Sequence, residues 1–98
     1  MSNRVNVEVE KVDEGMWDVK VSDDYDAGNI VLFDQPPDSD VDLLKIIKVR
    51  AYEDARLSPQ ADRVKGILEF IEEHAKGLTI RDTYYDFSEV AEAFEEAA

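Results

Sequence analysis

The first part of the chain alternates apolar and polar residues with the period of a β-strand. Valines at every second position of residues 5–9 indicate a strand with one buried face. A second alternating segment covers residues 17–21, after a turn signal at residues 13–15 in which glycine can adopt a positive φ. We therefore predict an antiparallel hairpin, with Trp17 as an anchor of its core.

A third strand and a first helix are predicted next. The apolar run 30–33 indicates a short strand in a more central position of the sheet, and the two prolines within residues 35–38 end it. Ser39 or Asp40 can then cap a helix whose apolar residues fall roughly on one face. Several residues of 43–52 are β-branched, so a fourth strand over this range is the alternative.

The second helix has clearer boundaries. Ser58 is a typical N-cap, and Pro59 occupies the first helical position, where its missing N–H has no cost. An apolar stripe follows, and Gly77 is the predicted helix stop. Gly66 lies inside this helix, which we interpret as a sign of close packing against another element.

The last part of the chain is less regular. Residues 78–85 could form either a short strand or an irregular crossing. Asp86 and Glu89 have the spacing of a capping box, which predicts a final helix. Strands followed by helices indicate an α+β fold. We predict one globular domain over residues 1–98, with an N-terminal antiparallel three-stranded, alternatively four-stranded, β-meander packed against two to three C-terminal helices.

Charge adds to this picture, because the net charge of −13 is concentrated in two blocks. The first acidic block, residues 21–44, has seven Asp and no base, and the second acidic block, residues 82–98, has six acids and no base. The remaining segments hold eleven acids and eleven bases and are neutral. Adaptation to salt would spread acid over every surface, whereas clustered charge steers association with a basic partner. A second interpretation is that both blocks are only solvated surface.

The residues give no pattern for catalysis or metal binding. The chain has no cysteine and a single histidine, His74, without a partner pattern for zinc. Asp38, Asp40 and Asp42 lack the glycine and the later carboxylate of a calcium loop, so we interpret them as acids at a helix N-terminus. We therefore predict no enzyme activity, no catalytic residue, no metal site and no cofactor.

Acidic residues adjoin aromatic residues in both blocks, which is the composition of an interface for a basic partner. Tyrosine is enriched at binding hot spots, and neighbouring carboxylates supply electrostatic complementarity. An alternative is that one of Tyr84 and Tyr85 belongs to the core. The predicted partner-binding residues are Asp23, Asp24, Tyr25, Asp26, Asp82, Tyr84, Tyr85, Asp86, Glu89, Glu92 and Glu96.

These features lead to a hypothesis of function. The protein is expected to be a small acidic interaction or regulatory protein whose partner is a basic protein. In a more specific form it is a nucleic-acid mimic that inhibits a basic nucleic-acid-binding protein, in general character similar to the small acidic inhibitors of phages and mobile elements. Direct nucleic-acid binding is not expected at this charge.

The chain has no cysteine and no apolar run of membrane length, so we expect the protein to be cytoplasmic and to make no membrane contact. The alternative is a salt-adapted domain of hidden function.

Overall fold

Three long strands at the start of the chain form the predicted meander. The structure is a computed structural model that describes residues 4–95. In it β1 (Asn6–Asp13), β2 (Met16–Ser22) and β3 (Ala27–Leu32) pair antiparallel in chain order. Buried residues occupy alternate positions in the paired middle of the meander, at Val7, Val19, Val21, Gly28, Ile30 and Leu32, whereas the end of β1 from residue 10 to 13 is exposed. Trp17 packs against this core, as predicted.

Two short strands extend the sheet beyond the meander. β4 (Leu78–Ile80) pairs parallel with β1, and β5 (Thr83–Tyr85) pairs antiparallel with β4, giving the order β3-β2-β1-β4-β5. The α+β class is confirmed, but the prediction of a purely antiparallel sheet of three or four strands is wrong. The sheet is mixed and five-stranded, because β4 returns to the free edge of β1 after a helical crossover. β3 is therefore an edge strand and not a central one.

The two main helices begin at the predicted caps. α1 (Asp40–Asp54) follows Ser39, and α2 (Pro59–His74) follows Ser58, whose hydroxyl accepts a hydrogen bond from the Ala61 N–H at 3.2 Å. The alternative strand over residues 43–52 is wrong, because the buried residues there repeat with helical spacing. These buried residues are Leu43, Leu44, Ile47 and Ala51.

The glycines pack differently from the prediction. A Cβ at Gly66 would meet no atom within 4 Å, so close packing there is wrong. A Cβ at Gly28 in β3 would instead collide with the Gln60 carbonyl oxygen, so this is where α2 lies against the sheet. The helix also stops before Gly77, since Ala75 adopts the left-handed cap conformation at φ 50°. A Cβ at Gly77 would collide with the Tyr84 hydroxyl.

The final predicted helix is a single turn followed by a 3₁₀ segment. α3 (Phe87–Val90) leads into 3₁₀ residues Ala91–Phe94. The Asp86 N–H donates to the Glu89 Oε1 at 2.9 Å, as the capping-box spacing predicts. Phe94 is buried in the core and Phe87 packs against it, with the two rings 5.3 Å apart.

Candidate interaction surfaces

Basic residues between positions 45 and 81 act as internal counter-ions of the acidic blocks. Arg63 lies 3.8 Å from Asp26, and Arg81 lies 2.6 Å from Asp40. Because these contacts cross between elements, the sequence does not show them. They pair two acids of the first block inside the molecule, while other described acids of both blocks, such as Asp24 and Asp86, are exposed.

The loop between β2 and β3 is built around Asp23. Its Oδ1 accepts hydrogen bonds from the backbone N–H groups of Tyr25, at 2.8 Å, and Asp26, at 2.6 Å. The Asp23 N–H donates to the Asp26 carbonyl at 2.9 Å, which closes the turn. Aspartate favours such turns because its short side chain reaches the backbone two residues later. Asp23 is therefore occupied in holding the loop, whatever else it contacts.

The turn presents the next residues to solvent. Tyr25 has 78% of its surface exposed, and Asp24 and Asp26 beside it are exposed as well. Asp62 of α2 lines the same open cleft of about 530 Å³ as Tyr25 and Asp26. We call Asp24, Tyr25, Asp26 and Asp62 the loop surface. It combines one protruding ring with three carboxylates, and within residues 4–95 only Asp26 of these three contacts a base.

The second acidic block is anchored through a cluster at the start of α1. The Arg81 Nε donates to the Asp40 Oδ1 at 2.7 Å, and the Tyr85 hydroxyl donates to the other carboxylate oxygen at 2.5 Å. The guanidinium also donates to the carbonyls of Pro37 and Asp38, at 3.0 and 3.1 Å. The hydrogen bond to Asp40, together with burial, raises the pKa of Tyr85. Tyr85 thus packs against the core and joins β5 to α1.

The other predicted residues of this block are exposed. Tyr84 has 63% of its surface exposed and belongs to the edge strand β5. One tyrosine of the pair is thus on the surface, while the other packs against the core, as the alternative interpretation held. Four exposed acids lie beside this strand and in α3 and the 3₁₀ segment that follow it: Asp82, Asp86, Glu89 and Glu92. We call these four acids and Tyr84 the terminal surface. Glu96 lies outside the described residues.

The structure brings parts of the two acidic blocks together and separates others. Lys45 lies 4.0 Å from Asp42 of the first block and 3.3 Å from Glu92 of the second, so the blocks meet at α1. The loop surface adjoins the β3 edge of the sheet, whereas the terminal surface follows the β5 edge. Four strand spacings separate these edges, or about 19 Å. The predicted interface residues therefore form two surfaces and not one.

Residues 4–95 form neither a metal site nor a membrane-spanning helix. No group of three or more acidic or histidine side chains in this range is arranged to hold a metal ion. No helix in the same range has the length and apolar character needed to cross a membrane.

Comparison with known proteins gives no assignment. No family model matches the chain, and no curated protein or solved structure matches it either.

Proposed function

We propose that this protein is an interaction protein whose loop surface binds a basic surface of another protein. The observation that carries the proposal is Tyr25, which is 78% exposed on a turn held by hydrogen bonds to Asp23. A protruding tyrosine at a fixed position is the type of residue that dominates binding energy at interfaces. Because the turn is already ordered, little conformational entropy is lost when a partner binds.

The charges beside Tyr25 indicate that the partner surface is positively charged. Asp26 and Asp62 line the same cleft as Tyr25, and exposed Asp24 adjoins it in the chain. Arg63 lies 3.8 Å from Asp26. Clustered carboxylates repel one another in the free protein, and a basic partner relieves that repulsion. The partner is therefore a protein with lysine or arginine around a pocket that accepts an aromatic ring.

A finer proposal is that this basic surface normally binds nucleic acid. The net charge of −13 equals that of about 22 Å of duplex. The longest dimension of the protein is 36 Å, so it is large enough to present such a charge. The acidic loop surface would then occupy part of the site that phosphates otherwise fill.

The test is capture of partners from a lysate at low salt, followed by a titration with the purified partner. The variant Asp24→Lys/Tyr25→Ala changes the loop surface and retains Asp23, whose carboxylate holds the turn. The matched control is Asp82→Lys/Tyr84→Ala, which makes the same chemical changes on the terminal surface. We expect the first variant to weaken binding at least tenfold and the control to leave it within about twofold.

The outcomes separate the alternatives. Release of the captured partner by duplex DNA supports the finer proposal, and release by salt alone supports an ordinary acidic interface. Equal binding by the loop variant and the original protein would exclude the loop surface. If no partner is captured and molar KCl strongly raises the melting temperature, the acidity is solvent adaptation.

A further inference from the structure

The free edge of β3 is long, uncharged and regular. β3 has six residues, of which none is charged and none is proline, and it pairs with β2 without a register shift. Proteins usually protect the edge of a sheet with charge, proline, a bulge or a very short strand. The opposite edge is protected in this way, since β5 has three residues and lies between Asp82 and Asp86. Of the two edges, the β3 edge is therefore the one suited to pairing with a further strand.

The register of the meander identifies the backbone groups at this edge. The Asp23 N–H donates to the Asp26 carbonyl at 2.9 Å, so every second pair of residues from there inwards exchanges hydrogen bonds between β2 and β3. Ala27, Asn29 and Val31 therefore direct their N–H and C=O groups away from β2. Within residues 4–95, only the Ala27 N–H among these groups has a partner, which is the Asp26 carboxylate at 2.9 Å. Three carbonyls and two N–H groups thus remain for an extended chain to bind.

An open cleft of about 210 Å³ lies beside this edge, and its charge differs from that of the loop surface. The cleft is lined by Asn29 and Val31 of β3 and by Arg50 and Asp54 of α1, among others. The Arg50 Nε lies 3.4 Å from the Asp54 Oδ2, so these two charges are paired. The loop surface at the start of β3 has three carboxylates against Arg63. The edge is therefore neutral along its middle and acidic at its N-terminal end.

We propose that a segment of the basic partner adds to the β3 edge as an antiparallel sixth strand, with an uncharged centre and lysine or arginine at its C-terminal end. This inference rests on the proposed function, because the same partner contacts the loop surface. Antiparallel pairing is slightly more stable per residue than parallel pairing, and it sets the C-terminal end of the added segment beside the loop surface. Backbone hydrogen bonds hold the segment, and the carboxylates select its charge.

A second copy of the chain does not fit this edge. Residues 21–44, which include β3, contain no base. If two β3 strands paired antiparallel about Asn29, Asp24 of each copy would be level with Asp34 of the other. Both aspartates are exposed, and like charges directly opposite each other destabilise a strand pair. In every other register, too, a second β3 brings no base to the loop surface. The added strand therefore comes from a different protein with a basic segment.

A synthetic peptide tests the pairing without altering the protein. The probe consists of alternating threonine and valine residues followed by a pair of lysines at the C-terminal end. Its binding should slow hydrogen exchange of the Asn29 and Val31 amides at least tenfold, because both amides become hydrogen-bonded. N-methylation at the peptide residues that face β3 keeps the charge but removes their donors, and it should abolish this protection. No protection with the unmethylated peptide at up to about 1 mM, or equal protection with both peptides, would overturn the proposal.

A peptide of reversed order tests the direction of the added strand. With the lysines at its N-terminal end, an antiparallel peptide sets its charge away from the loop surface. We expect its dissociation constant to be at least fivefold higher than that of the first peptide at low salt. Equal or tighter binding of the reversed peptide would overturn the antiparallel arrangement.

A proline at the edge separates this inference from the proposed function. Val31→Pro removes an N–H that β2 does not use, and proline is tolerated at such positions of an edge strand. We expect this variant to bind the captured partner at least tenfold more weakly, and melting curves check that it is folded. Normal binding by a folded Val31→Pro, together with weakened binding by Asp24→Lys/Tyr25→Ala, would overturn strand addition and retain the loop surface as the binding site. The opposite result would support strand addition and exclude the loop surface. If the proline unfolds the protein, the comparison of methylated and unmethylated peptides decides the question.

Discussion

The two halves of the sheet are held in different ways. The meander consists of strands of eight, seven and six residues, joined by short connections and paired with their neighbours in the chain. The hairpin of β4 and β5 has three residues in each strand and joins the sheet through a parallel pairing with β1. The Thr79 and Arg81 N–H groups donate to the Val5 and Val7 carbonyls at 2.8 and 2.9 Å.

This difference shows that the hairpin depends on contacts outside the sheet. Its turn residues Arg81 and Asp82 both have positive φ, at 49° and 69°, which is unfavourable for side chains larger than glycine. Arg81 is held there by Asp40 and the carbonyls that precede α1. The meander derives its order from local pattern, whereas the hairpin derives its order from α1.

The largest expected effect concerns the packing of the meander on α2. Gly28→Ala should destabilise the protein by about 3 kcal/mol, because the new methyl group collides with the Gln60 carbonyl and the sheet must move. Chemical denaturation measures the loss. The control is Gly66→Ala, which meets no neighbour and should stabilise α2 by up to about 1 kcal/mol. Equal effects of the two substitutions would contradict this account of the contact.

A second substitution acts on the hairpin. Asp40→Ala removes the acceptor shared by Arg81 and Tyr85 and should cost about 2 kcal/mol. Native-state hydrogen exchange should show faster exchange of the β4 amides, with little change in those between β1 and β2. Uniformly faster exchange across the whole sheet would mean that the two halves open as one unit.

A third substitution should strengthen the hairpin. Asp82→Gly relieves the positive φ at this turn residue and should raise stability by about 0.5–1 kcal/mol. Thermal melting measures the gain, which should be absent in Asp24→Gly in the other loop. A loss of stability would show that the Asp82 side chain makes a favourable contact that outweighs its backbone strain.

The smallest expected effect depends on pH. The pKa of Tyr85 is raised, first by its hydrogen bond to Asp40 and then by burial, so the folded state favours the protonated phenol. The contribution of the protonated Tyr85 phenol to stability is complete below the ordinary tyrosine pKa of about 10. It is lost as the pH rises through the higher pKa that Tyr85 has in the folded state. Tyr85→Phe should therefore lower the free energy of unfolding at pH 8. Above pH 10 the difference in free energy of unfolding between this variant and the original protein should become smaller. A difference in free energy of unfolding that is constant with pH would show that the ionisation of Tyr85 is not coupled to folding.

The candidate site was predicted in part. The acidic and aromatic residues of both blocks were identified from composition, and the structure shows that Tyr25 and Tyr84 are exposed. The pattern could not show that Tyr85 bonds to Asp40, since 45 residues separate them. Nor could it show that Arg63 and Asp26 approach each other, because that contact depends on how α2 lies across β3.

The sequence by itself determined the elements whose signals are local. These are the hairpin of β1 and β2, the caps at Ser39 and Ser58, and the concentration of acid in two blocks, because each depends on residues a few positions apart. Only the tertiary structure decided that β4 joins β1, that β3 is an edge strand, and that the acids form two separate surfaces. The physical reason is that these depend on the path of the two helices across the sheet, which no short pattern encodes.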